Sequence, residues 1–163
     1  MRRLADLGGL YSLKWVQPSP LRLAFELREV DEILATLVFR DLSFATAETE
    51  EGAWSFDCAF LPARMTVRAP GQTEVARYRG AVLTLADGRA WRSKSDFITH
   101  DFEFRNEKDE PLVKYQQVEG LFRTSSYMVI TPEGAVLAEL PWLAMLGWCI
   151  VAGSLAAASA DSG

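Results

Sequence analysis

Histidine is almost absent from this sequence and cysteine is scarce. One His in 163 residues excludes a metal site built on several imidazoles, and two Cys are too few for a disulfide scaffold. Cys58 and Cys149 lie far apart, the second inside an apolar run. They read as small buried hydrophobes rather than as a staple or a ligand pair, in keeping with a reducing, cytoplasmic setting. An excess of positive charge is also missing: 17 Lys plus Arg face 22 Asp plus Glu, a net charge of −5. That argues against non-specific nucleic-acid binding, so no nucleic-acid partner is expected. Nucleophile, metal and phosphate motifs are lacking too: G-x-S-x-G, H-E-x-x-H, C-x-x-C, the Walker loop and G-x-G-x-x-G do not occur. No catalytic residue, metal or cofactor is therefore expected. Arg2 and Arg3 precede a short stretch that carries Asp6 and two glycines and offers no cleavage site, so export is not expected.

What is present is the composition of one soluble globular domain spanning residues 1–163, with 49% apolar and 24% charged residues. Such a length buries roughly 68–70% of the unfolded surface, enough for a core without metals or disulfides. From residue 21 the dominant period is two. Leu21, Leu23, Phe25 and Leu27 alternate with Arg22, Glu26 and Arg28, and Ile33, Ala35, Leu37 and Phe39 form the return strand. The unit recurs around Glu50-Glu51-Gly52, Pro70-Gly71-Gln72, Asp87-Gly88 and Asn106 to Glu110. A sixth hairpin is predicted from a strand beginning at Leu121, through the turn Thr131-Pro132-Glu133-Gly134, into a return strand over residues 135–140. Six hairpins make a mainly β chain of about twelve antiparallel strands over residues 21–140, at the spacing of a sandwich or barrel.

Leu140–Ala160 is a run without a charge, and residues 141–158 read as an apolar helix with Pro141 in its first turn. A helix apolar on every side is buried in a protein core or in a bilayer, and a run of this length is just enough for a membrane span. Two arguments favour the core. A barrel of about twelve strands is wider than its own side chains fill, and a central helix solves that. The second half of the run is mostly Ala, Gly and Ser, without Lys or Arg anchors at its ends.

Twelve strands built as hairpins and followed by an apolar helix resemble the tubby-like superfamily, which includes tubby C-terminal domains, phospholipid scramblases and LURP-one-related proteins. Phe102-Glu-Phe-Arg-Asn-Glu-Lys-Asp-Glu-Pro-Leu-Val-Lys-Tyr looks like the strand, turn and strand unit of these families. Glu139-Leu-Pro-Trp-Leu-Ala-Met-Leu-Gly-Trp looks like their central helix. The resemblance implies a closed barrel threaded by the helix, no catalytic machinery and action at membranes through anionic lipid. A Cys-rich palmitoylation segment and an acidic calcium loop beside the helix are missing, so lipid scrambling is not expected.

Charge is distributed unevenly along the chain. Residues 26–63 carry 2 basic and 9 acidic side chains, whereas residues 64–94 carry 7 basic and 2 acidic ones, a local net charge of +5. Within this basic block Arg92 and Lys94 project to one side of a predicted strand, near Arg64 and Arg68 and flanked by Arg77 and Arg79. Arg92, Lys94, Arg64 and Arg68 are the candidate anionic-ligand residues, set against the plainer reading of a solvated strand face. His100 beside Asp101, and Asp101, Glu103 and Arg105 on one strand face, read as surface and cross-strand groups rather than as an acid-base site. The five tryptophans read as core and rim packing, with Trp15 the least placed. The expected function is a binding or scaffolding module touching an anionic phospholipid surface, or else a protein partner. A barrel that binds or converts a small ligand in its lumen, and a single-span membrane protein with a β-rich domain, are the alternatives.

Overall fold

The computed structural model describes residues 2–96, 98–120 and 123–162. Twelve strands close into one antiparallel barrel. In chain order they are β1 (Leu13–Val16), β2 (Ala24–Glu29), β3 (Glu32–Asp41), β4 (Phe44–Thr49), β5 (Gly52–Ala59) and β6 (Arg64–Arg68). β7 (Glu74–Arg79), β8 (Val82–Leu85), β9 (Ala90–Asp96), β10 (Asp101–Arg105), β11 (Pro111–Glu119) and β12 (Ser125–Ile130) complete it. Each strand pairs with its neighbours in sequence, and β12 returns to β1. A short helical turn, α1 (Pro132–Ala135), leads into the long helix α2 (Leu140–Ser162).

Five of the six expected hairpins, β2 to β11 taken in pairs, form as the alternation dictates. The sixth does not. Thr131 caps α1 by accepting a hydrogen bond from the Gly134 N–H at 3.1 Å, so residues 135–140 run from the end of α1 into the start of α2 instead of forming a return strand. The predicted strand start at Leu121 lies outside the described residues. The missing strand comes from the other end of the chain, where Leu13–Val16 pairs with both β2 and β12. The barrel strands therefore occupy Leu13 to Ile130 rather than residues 21–140. Four residues are too short a window for alternation to stand out.

Leu21, expected on the inner face of the first strand, is 91% exposed in the β1–β2 connection. There Gln17 donates from Nε2 to the Arg22 carbonyl at 2.8 Å. A register shift between Leu27 and Arg28 turns Ile33 outward and Leu34 inward, because a bulge breaks the period of two.

α2 occupies the barrel. Leu143, Met145, Leu146, Trp148 and Cys149 are fully buried, and the helix packs against β4, β5, β6, β10 and β11. Leu140–Ala160 is long and apolar enough to cross a membrane, but its first two thirds are enclosed by strands. Two glycines let the wall come close. A Cβ on Gly147 would lie 2.3 Å from the Tyr115 hydroxyl, and one on Gly153 would lie 2.0 Å from the Phe60 ring. With Gly at 147, the Tyr115 hydroxyl donates to the Ala144 carbonyl at 2.5 Å. The helix end beyond residue 154 emerges between the β1–β2 and β11–β12 connections, where Leu155 sits beside Gly120.

Candidate functional site

Outward-facing side chains of β6 to β10 form a row across the barrel wall. Arg64 is directly opposite Arg79, Arg79 opposite Val82, Val82 opposite Arg92, and Arg92 opposite Arg105. The inward neighbours along these strands, Met65, Tyr78, Leu83, Trp91 and Phe104, are buried, which fixes the arginines on the outer face. Directly opposed side chains in an antiparallel pair have Cβ atoms about 4.5–5.5 Å apart, close enough for like charges to repel.

Several neighbouring cations are already paired. Arg68 donates from Nε to Asp57 Oδ2 at 2.8 Å, and Arg105 donates from Nε to Glu103 Oε2 at 3.2 Å. Arg77 hydrogen-bonds Glu74, which holds the Glu74 carboxyl below the usual carboxylate range and the Arg77 guanidinium above its ordinary value. The Arg105 guanidinium is raised chiefly by the hydrogen bond it donates to Glu103. Lys94 lies opposite Glu103 and contributes a small part of the lowering of the Asp96 carboxyl, whose main cause is the backbone N–H of Ile98. Arg64, Arg79 and Arg92 make no ion pair among the described residues.

Of the four candidate residues, Arg64 and Arg92 thus share one row, about 14 Å apart across three strand spacings. Arg68 lies off this row, opposite Ser55 and tied to Asp57. Lys94 lies off it as well. Arg79 is the residue whose role the sequence understated. Its pairing with Arg64 depends on a register shift between Val67 and Arg68, and no residue type announces that shift.

Arg64, Arg77 and Arg79 line a surface pocket of about 370 Å3 with Asp57, Thr66 and Cys58. Its guanidinium groups and the Thr66 hydroxyl are donors suited to phosphate oxygens. Asp57 beside them is engaged by Arg68.

His100 is exposed in the β9–β10 connection. The neighbouring Asp101 accepts through Oδ1 from the Gln117 N–H at 3.2 Å. Glu103 and Arg105 form the strand-face pair described above. Among the described residues no three His, Cys, Asp or Glu side chains gather as a metal site would need. Trp15, Trp91 and Trp148 are buried in the core, whereas Trp54 is half-buried.

Comparison with protein-family models, curated proteins and solved structures finds no match.

Proposed function

We propose that this chain is a non-catalytic barrel of the tubby-like kind that acts as a binding module at anionic membrane lipid on a cytoplasmic membrane surface. The direct opposition of Arg64 and Arg79, with neither guanidinium in an ion pair among the described residues, carries the reading. Two like charges held side by side are unfavourable until an anion lies between them, and a phosphate can accept bidentate bonds from both. Arg92 extends the same outward row, so a second head group has a cation to meet. The chain's net charge of −5 makes this attraction local rather than general, which favours docking by one face.

The helix inside the barrel bears on the alternative of a small ligand in the lumen. Where α2 runs, the interior is filled by its own side chains, so a ligand there would have to displace core residues. The outer pocket therefore supports the binding reading better than the lumen does.

Sedimentation with vesicles tests the proposal. Vesicles containing phosphatidylserine or a phosphoinositide are expected to bind the protein more tightly than phosphatidylcholine vesicles, by about 1 kcal/mol per basic residue at the surface. The preference should fade as salt rises. Arg64→Glu with Arg79→Glu should remove it at unchanged Tm, and Arg92→Glu with Lys94→Glu should weaken it. Equal, salt-independent partitioning to neutral and anionic vesicles overturns the proposal and leaves a protein partner as the occupant to seek.

A further inference from the structure

The fold brings the chain's two cysteines together. Cys58 points inward from β5, whereas Cys149 is fully buried on α2. They are 91 residues apart in sequence, yet their Sγ atoms lie 3.8 Å apart. Both are free thiols in the structure, and their contact, which the sequence did not indicate, is set by the period of the strands together with the threading of the helix.

We propose that Cys58 and Cys149 are a redox pair that forms an intramolecular disulfide under peroxide, locking the central helix to the barrel wall. Closing the sulfurs from 3.8 Å to a bonded length of about 2.05 Å takes less movement than one cysteine rotamer change produces. The two thiols differ in access. Cys58 is half-buried and Cys149 is buried, so a small oxidant reaches Cys58 first. Cys149 has no exposure, and burial pushes its thiol well above the ordinary value. Cys149 therefore stays protonated, and what brings it to the second step is its 3.8 Å contact with the Cys58 sulfur; its proton leaves with the departing hydroxyl.

In the first step, the Cys58 sulfur attacks one oxygen of hydrogen peroxide, the O–O bond breaks, and Cys58 sulfenic acid and water result. In the second, the Cys149 sulfur attacks the Cys58 sulfur, the S–O bond breaks, and the hydroxyl leaves as water with the Cys149 proton. Two thiols are oxidised by two electrons in total, and one peroxide is reduced to two waters.

The bond would join the wall to the helix across most of the chain. Such a long loop constrains the unfolded state strongly, so the oxidised protein resists extraction of α2 more than the reduced one. The pair needs no lipid and stands independently of the membrane proposal.

The experiment uses the reduced full-length chain treated with equimolar hydrogen peroxide. The expected result is loss of both titratable thiols, a mass lower by two hydrogens, and a proteolytic fragment joining the Cys58 and Cys149 peptides. A Tm higher by roughly 5–15 °C is also expected, reversed by dithiothreitol. Cys149→Ala should instead stop at Cys58 sulfenic acid, trapped by dimedone. Four outcomes overturn the proposal: both thiols persisting under peroxide, over-oxidation of Cys58 without a link, a link only between two chains, or an internal link that leaves Tm unchanged.

Discussion

The indole of Trp15 on β1 stacks on that of Trp148 on α2, with ring centroids 5.7 Å apart and planes 8° from parallel. This contact joins the strand that closes the barrel to the helix that fills it. Phe25 meets the same indole edge-on at 5.7 Å, and Tyr115 stacks at 6.4 Å. Trp148 is thus the centre of an aromatic cluster drawn from three strands. Aromatic pairs add about 0.5–1.5 kcal/mol each beyond the area they bury.

Trp15→Ala removes the partner of Trp148 and leaves a cavity where β1 meets β12. A destabilisation of about 3–5 kcal/mol is expected, measured by urea denaturation, together with loss of tryptophan near-ultraviolet circular dichroism. Stability within 1 kcal/mol of wild type, roughly the effect of an ordinary exposed site, would show that β1 does not close the barrel.

Leu146→Asp places a carboxylate at a position with no exposure. An unpaired buried charge costs several kcal/mol against a total stability of about 5–15 kcal/mol. Soluble, cooperatively folding protein should not be recovered. If it is, the helix does not occupy the barrel.

Gly147→Ala tests the close approach of Tyr115. The added methyl would overlap the phenol, and such overpacking costs about 1–3 kcal/mol, lowering Tm by roughly 3–10 °C. Ala158→Gly, on the exposed part of α2, serves as the contrast: its cost is only that of helix propensity, about 1 kcal/mol.

Alkaline pH should unfold the protein through its buried acids. Burial raises the Tyr78, Tyr115 and Cys149 groups, so the folded state holds these protons more tightly than the unfolded chain. Their contribution to stability is complete below the unfolded values, about 8.5 for Cys and 10 for Tyr, and declines as pH rises toward the folded ones. Denaturation midpoints should fall from about pH 8.5 upward, with Tyr115→Phe flattening the decline above pH 10. A midpoint independent of pH across this range would mean that these groups are not buried.

Arg68→Gln should leave vesicle binding close to wild type, because Arg68 is engaged by Asp57 at 2.8 Å. Arg79→Gln should weaken binding in the same assay. Equal losses in the two variants would point to diffuse charge rather than to the Arg64 and Arg79 pair.

The period of two, the turn residues and one uncharged run determined that the chain is a β-barrel followed by an apolar helix. These signals are local: alternation marks a half-buried strand, and Asp87-Gly88 sets the register of β8 and β9 around itself. What lay beyond local pattern was decided by closure. A twelve-stranded ring needs its ends to meet, so the four residues around Trp15 became a strand while residues 135–140 did not. Register shifts at Leu27 and Val67 exposed Ile33 and set Arg64 opposite Arg79, and an extra residue in a strand leaves no mark on composition. The contact between Cys58 and Cys149 belongs to the tertiary structure alone, because it requires the helix to thread the barrel at one depth and one rotation. Packing against Tyr115 at Gly147 and Phe60 at Gly153 holds that depth and rotation.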